Sequence, residues 1–219
     1  MFIERRAPGE HGGFVLGLVG RTGSGKSTVA QALERDGAVV IEADRLGHEI
    51  TDHDPEVRAA LAADYGADIY RADGALDRAR VAARVFTDPA ARERLDRLVH
   101  PRIIARARAR LEALAARGFA GVVVIDAALL FEWGLERWCD AVIAVLAPEP
   151  LQIERLERAR GWSAEQARRR LDLQRSQASF RAHADVALDN EGTLEALETA
   201  AREAVRMLRA RRRAGKEPC

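Results

Sequence analysis

Apolar positions along this 219-residue chain fall into two rhythms. Short apolar runs at 14–19, 38–41, 121–125, 140–146 and 184–188 read as buried strands, because a strand covered on both faces shows little polar alternation. The segments between them space their apolar residues three and four apart, as helices do. The first run leads through a glycine-rich stretch into a helical segment, 27–36, which Gly37 stops before the second run begins. Strand, glycine loop, helix, strand is one βαβ unit and predicts a parallel sheet. Strand signals vanish between Pro55 and Arg117. There, Asp54-Pro55 and Asp88-Pro89 each place an N-capping acid before a proline in a first helical turn. About four helices are predicted in this stretch, with breaks near Gly66, Gly74 and His100-Pro101. Further on, 150–160 and 164–177 predict two helices, the second opened by a Ser163/Gln166 capping box. A long closing helix is predicted over 193–212, with a frayed end.

The run Gly20-Arg21-Thr22-Gly23-Ser24-Gly25-Lys26-Ser27-Thr28 points to chemistry. It matches the phosphate-binding P-loop and sits between a predicted strand and a predicted helix, the context that loop requires. Glycines permit a backbone whose successive N–H groups face a phosphate, and the following helix adds its positive end. Gly23, Ser24, Gly25, Lys26, Ser27 and Thr28 are therefore candidate ATP-binding residues. Lys26 would reach the β- and γ-phosphates, and the Ser27 hydroxyl would ligate Mg2+. Lysine occurs only here and at Lys216, in a chain that otherwise uses arginine, which suits a site wanting a compact point charge. The expected architecture is α/β: a P-loop NTPase three-layer sandwich with a five-stranded parallel sheet. Its core would comprise 14–54 and 118–213, with a lid hairpin at about 155–175. A helical insertion would fill 55–117, and 1–13 and 214–219 would be flexible tails.

Carboxylates at predicted strand ends are further candidates. Asp44 ends the second strand, at the sheet edge where open α/β folds bind ligands, and is placed to accept a proton from an attacking hydroxyl. Glu42, two residues earlier on the same strand face, is a candidate to hold Mg2+ through water. Asp126 ends 122–125 as a Walker B aspartate does, and Glu132 follows Leu129-Leu130-Phe131. Each acid has a second reading as a solvated strand end. Arg155, Arg158, Arg160, Arg168, Arg169 and Arg170 straddle the Gly161-Trp162 break. Arginines on a mobile hairpin can close over a γ-phosphate, whereas a solvated helical face accounts for most of such a set.

Taken together, these elements resemble the dephospho-CoA kinase family from about Phe14 to Gly192. The likeness rests on the loop, Ala43-Asp44, Asp73-Gly74-x-Leu76-Asp77-Arg78, Val85-Phe86 and His100-Pro101. It rests also on Leu129-Leu130-Phe131-Glu132, Ala184-Asp185 and Asp189-Asn190-x-Gly192. The resemblance implies ATP-dependent phosphorylation of the ribose 3′-hydroxyl of dephospho-CoA, the last step of coenzyme A synthesis, with Mg2+ as cofactor. It implies Asp44 as general base, Arg158 or Arg160 as the lid arginine, and Asn190 near the adenine of ATP. The insertion would hold the acceptor, with Glu132 as a substrate contact and His100 as either a substrate contact or a capping or packing residue. Tyr65, Tyr70 and Phe86 are candidate pocket linings, with apolar core the first reading of Phe86. This chain departs from the family's pattern in three places. Glu42 replaces the first acid of Asp-Ala-Asp, Ala128 replaces a proline, and Arg158-Ala-Arg160-Gly161 stands where Arg-Asp-Gly is usual.

Composition narrows the alternatives. The 35 basic and 34 acidic residues nearly cancel, which argues against a nucleic-acid partner, although 206–216 is locally basic. No apolar run approaches the roughly 20 residues of a membrane span, and the first dozen residues lack a signal peptide's apolar stretch. Cys139 and Cys219 form no metal-ligand spacing, so a reducing cytoplasm is the expected compartment. ATP and dephospho-CoA are the expected partners, and a monomer satisfies the pattern. A nucleoside monophosphate or small-metabolite kinase on the same fold is the rival enzyme. A nucleotide-binding switch is the rival without catalysis, and no guanine-reading Asn-Lys-x-Asp supports it.

Overall fold

The structure, a computed structural model, describes residues 13–214, apart from the side chains of Phe86, Thr87 and Pro89. The expected tails, except for Gly13 and Ala214, lie outside the described residues, as do Cys219 and the Phe86 ring, expected in the core or a pocket. Strands β1 (Phe14–Val19), β2 (Val39–Glu42), β3 (Val122–Asp126), β4 (Ala141–Leu146) and β5 (Val186–Asp189) form one parallel sheet, in the order β2-β3-β1-β4-β5. Leu16 stands beside Val124 of β3 and Ala141 of β4, which fixes the register of the central strands. Parallel pairing brings all five carboxyl ends to one edge.

The helices are α1 (Lys26–Arg35), α2 (Ala43–His53), α3 (Pro55–Tyr65), α4 (Arg78–Thr87) and α5 (Pro89–Ala116), then α6 (Glu149–Arg160), α7 (Ala164–Asp172), α8 (Gln177–His183) and α9 (Leu194–Ala214). The chain divides into a sheet unit, built from residues up to Ile41 and from Leu111 onward, and a helical unit, Glu42–Arg110.

In the sheet unit both faces of the central strands are covered. On one face Leu16, Leu18, Ile143 and Val145 pack with Val29 and Leu33 of α1 and Leu197 and Val205 of α9. Each fully buried leucine of this set is worth roughly 2 kcal/mol in transfer free energy. On the other face Gly17 gives Leu130 room to press on β1, since a Cβ there would lie 2.9 Å from Leu130 Cδ2. In the helical unit the expected caps form: Asp54 Oδ1 accepts from Glu56 N at 3.1 Å and Val57 N at 3.2 Å, and Asp88 accepts from Ala90 N at 2.9 Å. Tyr65 is buried and donates to the Ala91 carbonyl at 2.5 Å; Tyr70 donates to the Thr51 carbonyl at 3.1 Å, under the Arg58 guanidinium. Tyr65 is therefore a packing residue, a correction to its reading as a pocket lining, while Tyr70 stays partly exposed.

Three further expectations change. No break occurs at His100-Pro101, because α5 runs through Pro101. Proline there removes one helix bond, to the Arg97 carbonyl, but Val99, Ile103 and Ala107 are buried along the same helix and hold it in place. The helix predicted over 164–177 ends at Asp172, and a separate helix, α8, starts under a Ser176 cap. Its Ser163/Gln166 capping box forms as expected. Finally, α9 is not frayed at 212. Arg212 Nη1 forms an ion pair with Asp140 Oδ2 at 2.9 Å and donates to the Gly13 carbonyl at 2.8 Å, tying the helix to the edge of β1.

Candidate active site

The loop leaves β1 at its carboxyl end. Gly25 is the N-cap of α1 at φ +99, where any side chain would be strained and would run into Asn190. Gly23, at φ +79, lies so close to α6 that a Cβ would meet the Gln152 carbonyl oxygen at 2.9 Å. No side chain caps α1, so its first-turn N–H groups stay available to an anion, reinforced by the helix dipole. Ser27 is exposed at this end, and Ser24 is buried beneath it.

Lys26 forms an ion pair with Asp126 at the end of β3, with side chains only 16% and 7% exposed. Two residues a hundred positions apart meet because β3 and β1 are parallel neighbours ending on one edge. The Val-Val-Val-Ile-Asp run was the signal for Asp126, which the pairing of β3 with β1 turns into a position.

A second set of side chains holds the loop from behind. Asn190, 2% exposed, donates from Nδ2 to the Ser24 carbonyl at 2.7 Å. It braces the backbone of the loop from beneath. Arg155 Nη1 donates to the Gly23 carbonyl at 3.2 Å and Nη2 to the Asn190 carbonyl at 3.3 Å, and burial pulls its pKa down. Gln174 Oε1 accepts from Thr22 N, and its Nε2 donates to Thr22 Oγ1, each at 3.0 Å. Gln174 was not foreseen, since no local pattern signals a residue between two helices that bonds a loop 152 positions away. Arg155 was one of six candidates, and only the phase of α6 against the loop distinguishes it.

The two arginines expected on the lid make local contacts. Arg158 pairs with Glu154 at 3.0 Å on an exposed surface, and the Arg160 guanidinium lies 5.2 Å from the Trp162 ring centre. Glu132 accepts from Arg175 Nε at 2.9 Å, and that guanidinium lies 4.9 Å from the Phe131 ring centre.

Asp44, Glu42 and His100 belong to the helical unit. Glu42 ends β2 and is exposed. Asp44 is not on the strand: the chain turns helical at Ala43, and Asp44 sits exposed in the first turn of α2. Glu42 and Asp44 therefore do not share a strand face. Buried Ala43 and Leu46 draw the chain into the helix, and an acid suits its positive first turn. His100 lies mid-helix rather than at a junction, 3.2 Å from Asp96 Oδ1; burial lowers its pKa and outweighs the opposing pull of Asp96. Among the described residues no group of three or more His, Cys, Asp or Glu forms a metal centre, and no helix is long and apolar enough to cross a membrane.

A glycine loop between β1 and α1, its lysine on the aspartate that ends the neighbouring strand, and a five-stranded parallel sheet define a P-loop kinase fold. Comparison with known proteins narrows this class. The sequence profile of the dephospho-CoA kinase family matches residues 14–196. Dephospho-CoA kinase of Syntrophotalea carbinolica is 43% identical over 181 residues, covering 83% of this chain and 85% of its own. That of Deinococcus radiodurans is 44% identical over 193 residues, 88% of this chain and 91% of its own. Among solved structures, TT1252 from Thermus thermophilus superposes with a TM-score of 0.73 at 32% identity, over 90% of this chain and 98% of its own. Dephospho-CoA kinase from Campylobacter jejuni shares the fold, with a TM-score of 0.63 at 21% identity and coverage of 90% and 98%. The chain belongs to the dephospho-CoA kinase family.

Proposed function

We propose that this protein transfers the γ-phosphoryl group of ATP to the ribose 3′-hydroxyl of dephospho-CoA, with Asp44 as general base. The observation that carries the phosphoryl-transfer reading is the uncapped P-loop, with Lys26 held against Asp126 at the sheet edge. The loop N–H groups and Lys26 take the phosphates, and Lys26 exchanges Asp126 for phosphate when ATP arrives. The donors present suit Mg2+: the Ser27 hydroxyl and the Asp126 carboxylate are hard oxygens, and Glu42 adds a contact through water. Mg2+ keeps several waters and relies on substrate phosphates, so it needs no dedicated cluster of protein ligands. Bound there, it would neutralise charge on the phosphates. Arg158 or Arg160 closes from the hairpin onto the transferred group, and His100 and Glu132 contact the acceptor. A cytoplasmic setting belongs to the same reading.

A ribose hydroxyl is a poor nucleophile at neutral pH, so a carboxylate that orients it and takes its proton should contribute on the order of 10²–10⁴-fold. ADP release measured with dephospho-CoA, AMP, adenosine, gluconate and shikimate should show turnover with dephospho-CoA and little with the rest. Asp44→Asn should lower kcat into that range while calorimetry shows nearly unchanged ATP affinity. A change of less than about threefold would remove Asp44 as base, since a positioned base supplies far more. Preference for another acceptor would overturn the substrate.

A further inference from the structure

Far from the P-loop, the sheet unit holds a groove of about 680 Å³ between the end of α1, the start of β3 and the outer side of α9. Four arginines of α9 line it: Arg202, Arg206, Arg209 and Arg213. Arg202 is neutralised, with Asp36 at 2.7 Å and Glu198 at 3.4 Å. Arg206, Arg209 and Arg213 have no acidic partner among the described residues, although acids and bases are nearly equal in number along the chain. Like charges three and four apart on a helix repel, so this row destabilises α9 until an anion meets it. The floor is apolar, made by Leu33, Val122 and Val205.

We propose that this groove is a second ligand site, and that it takes an organic phosphate carrying more than one anionic group. Guanidinium groups match phosphate bidentately, which favours phosphate over a diffuse counterion. Arg206 and Arg213 are seven residues apart, about 10 Å along the helix, so one phosphate cannot serve the row and two or more can. The apolar floor fits the organic part of such a molecule, and the volume falls in the range of roughly 300–1,000 Å³ usual for small-ligand sites. Val122 and Asp126 mark opposite ends of β3, about 13 Å apart, so this site and the loop occupy opposite edges of the sheet.

The test uses the full chain and coenzyme A as probe, with inorganic tripolyphosphate and a single-stranded oligonucleotide beside it. Hydrogen exchange read by mass spectrometry separates the sites by peptide. Coenzyme A should slow exchange in the second half of α9 as well as in the loop. In the Arg206→Gln/Arg209→Gln/Arg213→Gln variant, only the α9 protection should disappear, and the affinity of that phase should drop at least tenfold. A circular dichroism spectrum and melting curve like the wild type's would show that the variant folds. Protection confined to 20–28, or α9 protection that survives in the variant, overturns the proposal. Protection of α9 by the oligonucleotide alone overturns it too, and makes the groove a nucleic-acid surface. Loss of the small-organic requirement, with tripolyphosphate protecting as well as coenzyme A, would overturn the role of the apolar floor.

Discussion

Lys26 serves two anions in turn. Without nucleotide its ammonium group neutralises Asp126, a carboxylate only 7% exposed at the end of β3. A lysine lying free in a glycine loop would be dispensable for folding; a lysine covering a buried carboxylate is not. Lys26→Ala should therefore abolish most ADP release and also lower stability by roughly 3 kcal/mol, because a mostly buried carboxylate loses its lysine partner. Lys26→Ala/Asp126→Asn should recover most of that stability in urea denaturation yet stay inactive. Full recovery of activity in the double variant would end the view that Lys26 meets phosphate. The motif was legible from Gly20 to Thr28 because loop chemistry is local. The partner of Lys26 was not, because a strand-end acid gains its meaning from which strand lies next to it.

The ends of helices carry much of what is specific to this chain. Ser163 and Asp54 cap α7 and α3 in the way their sequences suggest, since a cap is a bargain between residues three apart. The end of α9 is different. A basic run at a terminus reads as solvated, but Arg212 is 17% exposed and holds Asp140, whose Oδ2 also accepts from Val15 N at 2.8 Å. Removing 211–219 should therefore lower the melting temperature by several degrees, as loss of one partly buried ion pair would in a chain of this size. Arg212→Gln in the full chain should reproduce most of that drop. If the truncated protein melted like the full chain, the contact would add nothing to stability. Arg155 makes the same point at the loop: six arginines near one helix break look alike until the helix turns one of them toward Gly23.

At the scale of the molecule each unit buries apolar side chains of its own. The sheet unit has a continuous apolar core, and the helical unit, around buried Ile50, Val57, Leu61 and Ile69, adds charged networks at Asp52 and Asp68. Asp52 is the more telling. Burial by itself would raise its pKa, but the Leu76 N–H at 2.9 Å and Arg78 at 2.9 Å favour the charged form more, and the net shift is downward. A depressed folded pKa means stability that is present above the ordinary carboxylate value of about 3.9 and lost as pH falls through the folded value. Melting curves from pH 6 down to pH 2.5 should show this loss in the wild type and a shallower decline in Asp52→Asn. Identical slopes for the two proteins would assign the acid loss to other carboxylates.

Sequence alone determined the βαβ start, the five parallel strands, the phosphate loop and the family, because each rests on periodicity or on residues close together in the chain. Tertiary structure decided the rest. It put Asp126 on Lys26, Asn190 and Arg155 under the loop, and Gln174 on Thr22, across separations of 100 to 166 residues. It also moved Asp44 from a strand end into a helix, carried α5 through Pro101 and consumed Tyr65 in packing. In each case the local pattern allowed two outcomes that differ little in free energy. Burial of distant side chains, worth a kilocalorie or more apiece, settled which one the chain adopts.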